Sequence, residues 1–315
     1  MRRDRRRLSG RLGAHPERRV LVPARRAALR AAVAGIRATS RAAGQAVVLP
    51  PVVNMYARPS DTSAVVSQAT LGTRVQALRR RAGWTLAETP DRYRGWIRSA
   101  ALHPDRRDQP LAEVGNLFAN IYPVRDVTAR APIAVLPLLS RVEVLGGPDG
   151  RARGRDAVPE WLCVRLPDGR IGWAQRGDVR PSGDIAGGPG GPLATALRFL
   201  GLPYLWGGTT PFGVDCSGLV QLAHRVHGVH LPRDADLQFA DRRLAQVPRG
   251  RIRAGDLVFF GPRRQAITHV GIALGPGAFL SATTRSGPVV RIDRLADPYW
   301  RKLFLGARRP PGRAG

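Results

Sequence analysis

Residues 203–221 read PYLWGGTTPFGVDCSGLVQ. A loop of Gly, Thr and Pro gives way to Asp215-Cys216-Ser217-Gly218, after which Leu219, Leu222, Ala223 and Val226 recur at helical spacing and Gly228 supplies a stop. The stretch therefore predicts a helix that opens at Cys216. A thiol in that position sees the positive end of the helix dipole and unpaired backbone N–H groups, both of which favour thiolate over thiol. The same N–H groups can hold an oxyanion.

A cysteine nucleophile needs a base, and the chain has six histidines. His15 lies in an Arg-rich N-terminal segment and His103 between two repeats, while His224, His227 and His230 fall on or just after the Cys helix, away from its first turn. His269, in ITHVGIAL (267–274), begins an apolar strand and is well placed for a Cys–His pair. For each residue alone, a small buried cysteine and a satisfied histidine remain the alternative reading. The i, i+3, i+6 spacing of His224, His227 and His230 invites a metal, but no acidic or Cys ligand adjoins them and no metal site is expected. Cys163, in WLCV, reads as strand packing.

Outward from this segment the periodicity divides the chain. Leu193, Ala196, Leu197 and Leu200 have helical spacing, and strands are expected over 256–260, 270–274, 278–282 and 289–292. Helices followed by strands indicate an α+β domain. Ahead of it, residues 181–192 have a linker's Gly/Pro composition. Before the linker lies a repeat: Trp84, Pro90-Asp91 and Gly95-Trp96 recur as Trp161, Pro167-Asp168 and Gly172-Trp173, with equal offsets. Each copy reads as strand, Pro-Asp turn, strand, and the second copy carries an insertion around 146–159.

Composition adds less. The 315 residues carry a net charge of +28 from 51 basic and 23 acidic side chains, which first suggests an anionic partner. Yet Lys302 is the single lysine, and thirteen arginines fall in residues 1–45. Phosphate-binding surfaces use both cations, so the balance reads as compositional bias and no nucleic-acid partner is expected. The two cysteines give no disulfide framework. No apolar run approaches a membrane span, and Arg25, Arg26, Arg30 and Arg37 interrupt any secretory core, so a cytoplasmic rather than secreted protein is expected.

The blocks YLWGG, DCSGLVQ, LPRDA (231–235), GDLVFF (255–260) and HVGIALG (269–275) together resemble the NlpC-type cysteine peptidases. The form YLWGGTTPFGVDCSGLVQ behind two repeats that resemble bacterial SH3-like domains is most similar to γ-D-glutamyl-L-diamino-acid endopeptidases. The resemblance implies an α+β papain-like peptidase core at 193–308, a linker at 181–192, small SH3-like β-barrels at 47–105 and 112–180, and a basic extension over 1–46. It implies Cys216 as nucleophile and His269 as general base. The third polar residue, usually His, falls on Ser281, whose shorter side chain holds an imidazole less firmly. It further implies that Asp215, Asp234 and Tyr93 read the free amine of an N-terminal L-Ala, with Tyr204, Trp206 and Ser217 lining the cleft. The implied substrates are murein peptides, L-Ala-γ-D-Glu-diamino acid, with no cofactor. A weakened member that only binds wall peptides, and an exported hydrolase of intact wall, are the alternatives.

Overall fold

The protein is described here by a computed structural model covering residues 44–105, 110–146, 160–182 and 190–311. Most of the N-terminal extension, the insertion in the second repeat and most of the linker lie outside these residues.

The first unit is a seven-stranded sheet of β1 (Gln45–Val48), β2 (Val52–Tyr56), β3 (Val65–Thr70), β4 (Arg74–Arg81), β5 (Trp84–Glu88), β6 (Arg94–Arg98) and β7 (Leu102–Pro104). Its order is β3-β2-β6-β5-β4-β1-β7. The second holds β8 (Leu111–Val114), β9 (Phe118–Tyr122), β10 (Ala134–Pro137), β11 (Arg141–Gly146), β12 (Trp161–Arg165), β13 (Ile171–Gln175) and β14 (Val179–Pro181). Its order, β10-β9-β13-β12-β11-β8-β14, is that of the first unit moved on by seven strands. The sequence repeat is thus an architectural one.

Each Trp–Pro-Asp–Gly-Trp block forms an antiparallel hairpin, β5/β6 or β12/β13. The landmarks have physical causes. Trp84 meets Tyr56 edge-on at 5.4 Å, and Trp161 meets Tyr122 in the same way at 5.8 Å. A Cβ on Gly95 would stand 2.7 Å from Met55, and one on Gly172 2.6 Å from Ile121. Neighbouring strands approach too closely there for any other residue.

The C-terminal part contains α1 (Gly191–Leu197), the short pair β15 (Thr209–Thr210) and β16 (Gly213–Val214), α2 (Cys216–Arg225) and α3 (Ala235–Ala240). After these come β17 (Ala245–Val247), β18 (Leu257–Phe260), β19 (His269–Ala273), β20 (Ala278–Thr283), β21 (Val289–Arg294), α4 (Pro298–Leu303) and β22 (Phe304–Arg309). The six-stranded sheet runs β17-β22-β18-β19-β20-β21, antiparallel throughout. Helix α2 lies on β19 and β20, burying Leu219, Val220 and Ala223 against Val270, Ile272 and Leu280. This is an α+β arrangement that fits a papain-like core.

Two expectations need adjustment. The helix at 193–200 stops at Leu197, because the chain turns at Gly201 with φ +83°; Leu200 is consequently exposed while Phe199 is buried. The first unit begins at Gln45, where β1 pairs with β4 and β7, slightly inside the segment read as an extension. No helix among the described residues is long and apolar enough to cross a membrane.

Candidate active site

Cys216 is the first residue of α2, and the local sequence explains why. Asp215 is the N-cap: its Oδ1 accepts from the Gly218 N–H at 2.7 Å, and its Oδ2 from the Gly207 N–H at 3.0 Å. A Cβ on Gly218 would come within 2.2 Å of the Gly208 carbonyl oxygen, so the Gly-Gly loop and the helix start close on each other only because both sides lack side chains. The cysteine is 6 % exposed and sits among the apolar residues under the helix.

Helix α2 lies against β19, which begins at His269. The ring is fixed on two sides. Its Nε2 lies 3.0 Å from the Ser281 Oγ, on β20, and its face stacks on Trp300 of α4 at 4.9 Å and 26°. Ser281 is wholly buried, so the smaller side chain at the third position still reaches the imidazole. Burial pushes the His269 pKa down to about 4, and the attraction of the Asp215 carboxylate only partly opposes it. At neutral pH the imidazole is therefore neutral. With Nε2–H donating to Ser281, the other ring nitrogen is left able to accept a proton.

Asp215 also anchors an arginine. Its carboxylate, wholly buried, receives both prongs of Arg233: Nη1 donates to Oδ1 at 3.0 Å and Nη2 to Oδ2 at 2.7 Å. Ser217 Oγ donates to Oδ1 as well, at 3.2 Å, and accepts from Arg233 Nη1 at 3.1 Å. Asp215 and Ser217 thus share a buried ion-pair network with Arg233 at the start of α2.

The other two residues of the expected amine pocket do meet. Tyr93, on the turn before β6, donates its hydroxyl to Asp234 Oδ2 at 3.1 Å, across 141 positions of sequence. Tyr204 and Trp206 are half-buried in the loop ahead of β15, with Tyr204 set against the core beneath α2. His224 and His227 are committed elsewhere. His224 Nδ1 donates to the Val220 carbonyl at 2.8 Å, with burial lowering its pKa to about 4, and His227 Nε2 lies 2.9 Å from Thr195 Oγ1. Cys163 is half-buried on β12, and desolvation raises its pKa.

Arg233 escaped the sequence reading, although it stands inside the quoted LPRDA block. Its Nε also donates to Ser67 Oγ of the first unit at 3.1 Å. The same unit holds the loop ahead of α2 through Gln68 Oε1, which accepts from the Thr209 N–H at 3.1 Å, and α2 itself through Asp91 Oδ2, which accepts from Gln221 Nε2 at 2.9 Å. A fully buried arginine at the junction was the missing signal, and exposure cannot be read from a lone Arg beside a proline.

The NlpC/P60 family matches residues 201–309, and the bacterial dipeptidyl-peptidase SH3 domain matches residues 55–102. Murein DD-endopeptidase MepH of Escherichia coli is 39 % identical over 47 % of this chain and 54 % of its own. A γ-D-glutamyl-L-lysine dipeptidyl-peptidase of Bacillus cereus is 28 % identical over 79 % of this chain and 76 % of its own. The chain spans about half the length of the E. coli relatives it matches. The crystal structure of a B. cereus NlpC/P60 family protein shares the fold, with a TM-score of 0.69 at 21 % identity over 84 % of this chain and 99 % of that one. The chain carries an NlpC/P60-family domain behind a bacterial dipeptidyl-peptidase SH3 domain.

Proposed function

We propose that the protein is a cysteine endopeptidase that hydrolyses the γ-D-glutamyl–diamino-acid bond of short murein peptides bearing a free N-terminal L-Ala. The observation that carries this reading is the Tyr93–Asp234 contact, which sets a carboxylate and a phenol from two domains beside the Cys216 helix. A buried ammonium needs charged and hydrogen-bonded partners of this kind. The name of the B. cereus relative supports the same bond class. In this reading the amine is met by Asp234 and Tyr93, with Asp215 held back by Arg233. The second unit is read as a further SH3-like barrel, from its strand order.

The chemistry follows from the placement of the groups. Cys216 Sγ attacks the amide carbonyl carbon while its proton passes to His269 Nδ1. Backbone N–H groups at the start of α2 receive the charge on the carbonyl oxygen. Collapse breaks the C–N bond, and the leaving amine of the diamino acid takes the proton from the imidazolium. Water, deprotonated by His269, then hydrolyses the thioester, releasing L-Ala-γ-D-Glu and the thiol.

Mass analysis of L-Ala-γ-D-Glu-diaminopimelate incubated with protein under reducing conditions tests the proposal. Cleavage to the dipeptide and free diamino acid is expected, lost in Cys216→Ala and weakened when the alanine amine is acetylated. An intact peptide, or equal cleavage of free and acetylated forms, overturns it.

A further inference from the structure

Ser281 offers His269 one hydrogen bond from a short side chain. A ring held at a single nitrogen can still swing about that bond. Something else must fix the plane of the ring, and the opposite wall of the imidazole is Trp300. The indole stacks on it at 4.9 Å and 26°, and is itself wedged among Phe260 at 4.9 Å, Phe279 at 5.3 Å and Tyr299 at 4.9 Å. Trp300 is 2 % exposed.

Helix α4, which carries Trp300, is itself anchored. Asp297 caps it by accepting from the Tyr299 N–H at 2.9 Å, Arg285 Nη2 donates to Asp297 at 3.2 Å, and the Arg285 guanidinium lies 4.1 Å from the centre of the Tyr299 ring. One further observation separates a positioning role from plain core filling. The indole Nε1 is buried with no hydrogen-bond partner among the described residues. A buried donor without an acceptor is costly, and a phenylalanine would fill most of the space without that cost. What the site gains from tryptophan is the broad ring face turned to His269.

We propose that Trp300 is a positioning residue for proton transfer: its indole face clamps the His269 ring in the plane that keeps Nε2 on Ser281 and leaves Nδ1 for the Cys216 thiol. This rests on the Cys–His reading above, but its test does not. Among the described residues the charged group acting on the ring is Asp215 at the start of α2; Phe260 from β18, Ser281 from β20 and Trp300 from α4, which touch it, carry no charge. The clamp covers one face of the half-buried imidazole, so its loss lets the protonated form be better hydrated.

Proton NMR titration of His269, identified by its absence in His269→Gln, reads the clamp without any substrate. In the unaltered protein the ring protons are displaced upfield by the indole face and titrate near pH 4. Ordinary shifts and titration near 6.5 in that protein overturn the proposal whatever any variant does. Trp300→Phe keeps an aromatic face and holds the low value; Trp300→Leu fills the space without one and moves the midpoint toward 6.5. On cleavable peptide, Trp300→Leu lowers kcat about 10-fold with KM unchanged, and Trp300→Phe restores most of it. If Leu and Phe variants titrate alike, or both change KM and leave kcat, Trp300 is core filling and the inference fails. Failure of the endopeptidase proposal alone would leave the NMR result standing.

Discussion

Replacing Arg233 by Met probes a fully buried charge. The Arg233–Asp215 pair has side-chain exposures of 0 % and 1 %, two parallel hydrogen bonds, and further bonds from the guanidinium to Ser67 and Ser217. Removing the cation leaves the buried Asp215 carboxylate without its counter-charge, which costs about 3–5 kcal/mol. The loss should be smaller when both charges go. In Asp215→Asn/Arg233→Met the asparagine still caps α2, since Asn and Asp are comparable caps, and no orphaned charge remains. Urea unfolding followed by exposure of the Cys216 thiol, with Cys163 replaced by Ala, reports on the site itself. Because the chain has three units, this local probe is preferable to a global one. The expected result is a large loss for the single variant and partial recovery in the double. A single-variant loss below about 1 kcal/mol, the size of an exposed pair, or a double variant worse than the sum of its parts, refutes the reasoning.

Three further outcomes follow from the same geometry. Tyr93→Phe removes the hydroxyl that donates to Asp234 and should raise KM for free-amine peptides about 10-fold, leaving N-acetylated peptides unaffected, as steady-state kinetics on the pair of substrates will show. His224, held near a pKa of 4 by burial, is neutral in the folded protein while the unfolded chain takes up a proton below about 6.5. Its contribution is therefore full above pH 6.5 and is lost as pH falls toward 4, by up to about 3 kcal/mol; His224→Phe should flatten that part of the unfolding free energy measured against pH. Iodoacetamide near neutral pH should label Cys216 well ahead of Cys163, whose thiol is pushed up by burial; peptide mapping showing equal labelling would contradict both assignments.

Much of this was legible in the sequence, and the reasons are local. Asp215-Cys216-Ser217-Gly218 announced a helix start because cap, dipole and close glycine contact all act within a few residues. The Trp–Pro-Asp–Gly-Trp repeat was visible because both copies answer the same needs at the same spacing: an edge-on tyrosine, a turn, a close strand approach. The distances that define the site are long-range, and these were not legible. Nothing in Pro232-Arg233-Asp234 says that Arg233 turns inward to Asp215 while Asp234 turns to Tyr93. Nor does Asp297-Pro298-Tyr299-Trp300 announce a wall for His269. β22 was missed too: its LGARR is short and carries two arginines, yet it pairs with both β17 and β18, with Ala307 buried in the core and Arg309 bound to Asp256.

The first unit is better understood as part of the candidate site than as a tether. Ser67 reaches the guanidinium that neutralises the helix cap, Gln68 receives the Thr209 N–H, Asp91 holds Gln221 on the Cys helix, and Tyr93 completes the contact with Asp234. Each of these bonds crosses from one unit to the other, and each ends within the loop 207–217, the helix α2 or the turn 231–235. A peptidase domain lacking them would keep Cys216 and His269 but leave Arg233 and Asp234 short of partners at a newly wetted surface. The surplus of arginine, uninformative as net charge, acquires meaning at this one position: a guanidinium binds two carboxylate oxygens and two serine hydroxyls at once, which a lysine ammonium in the same place has too few donors, and the wrong geometry, to do.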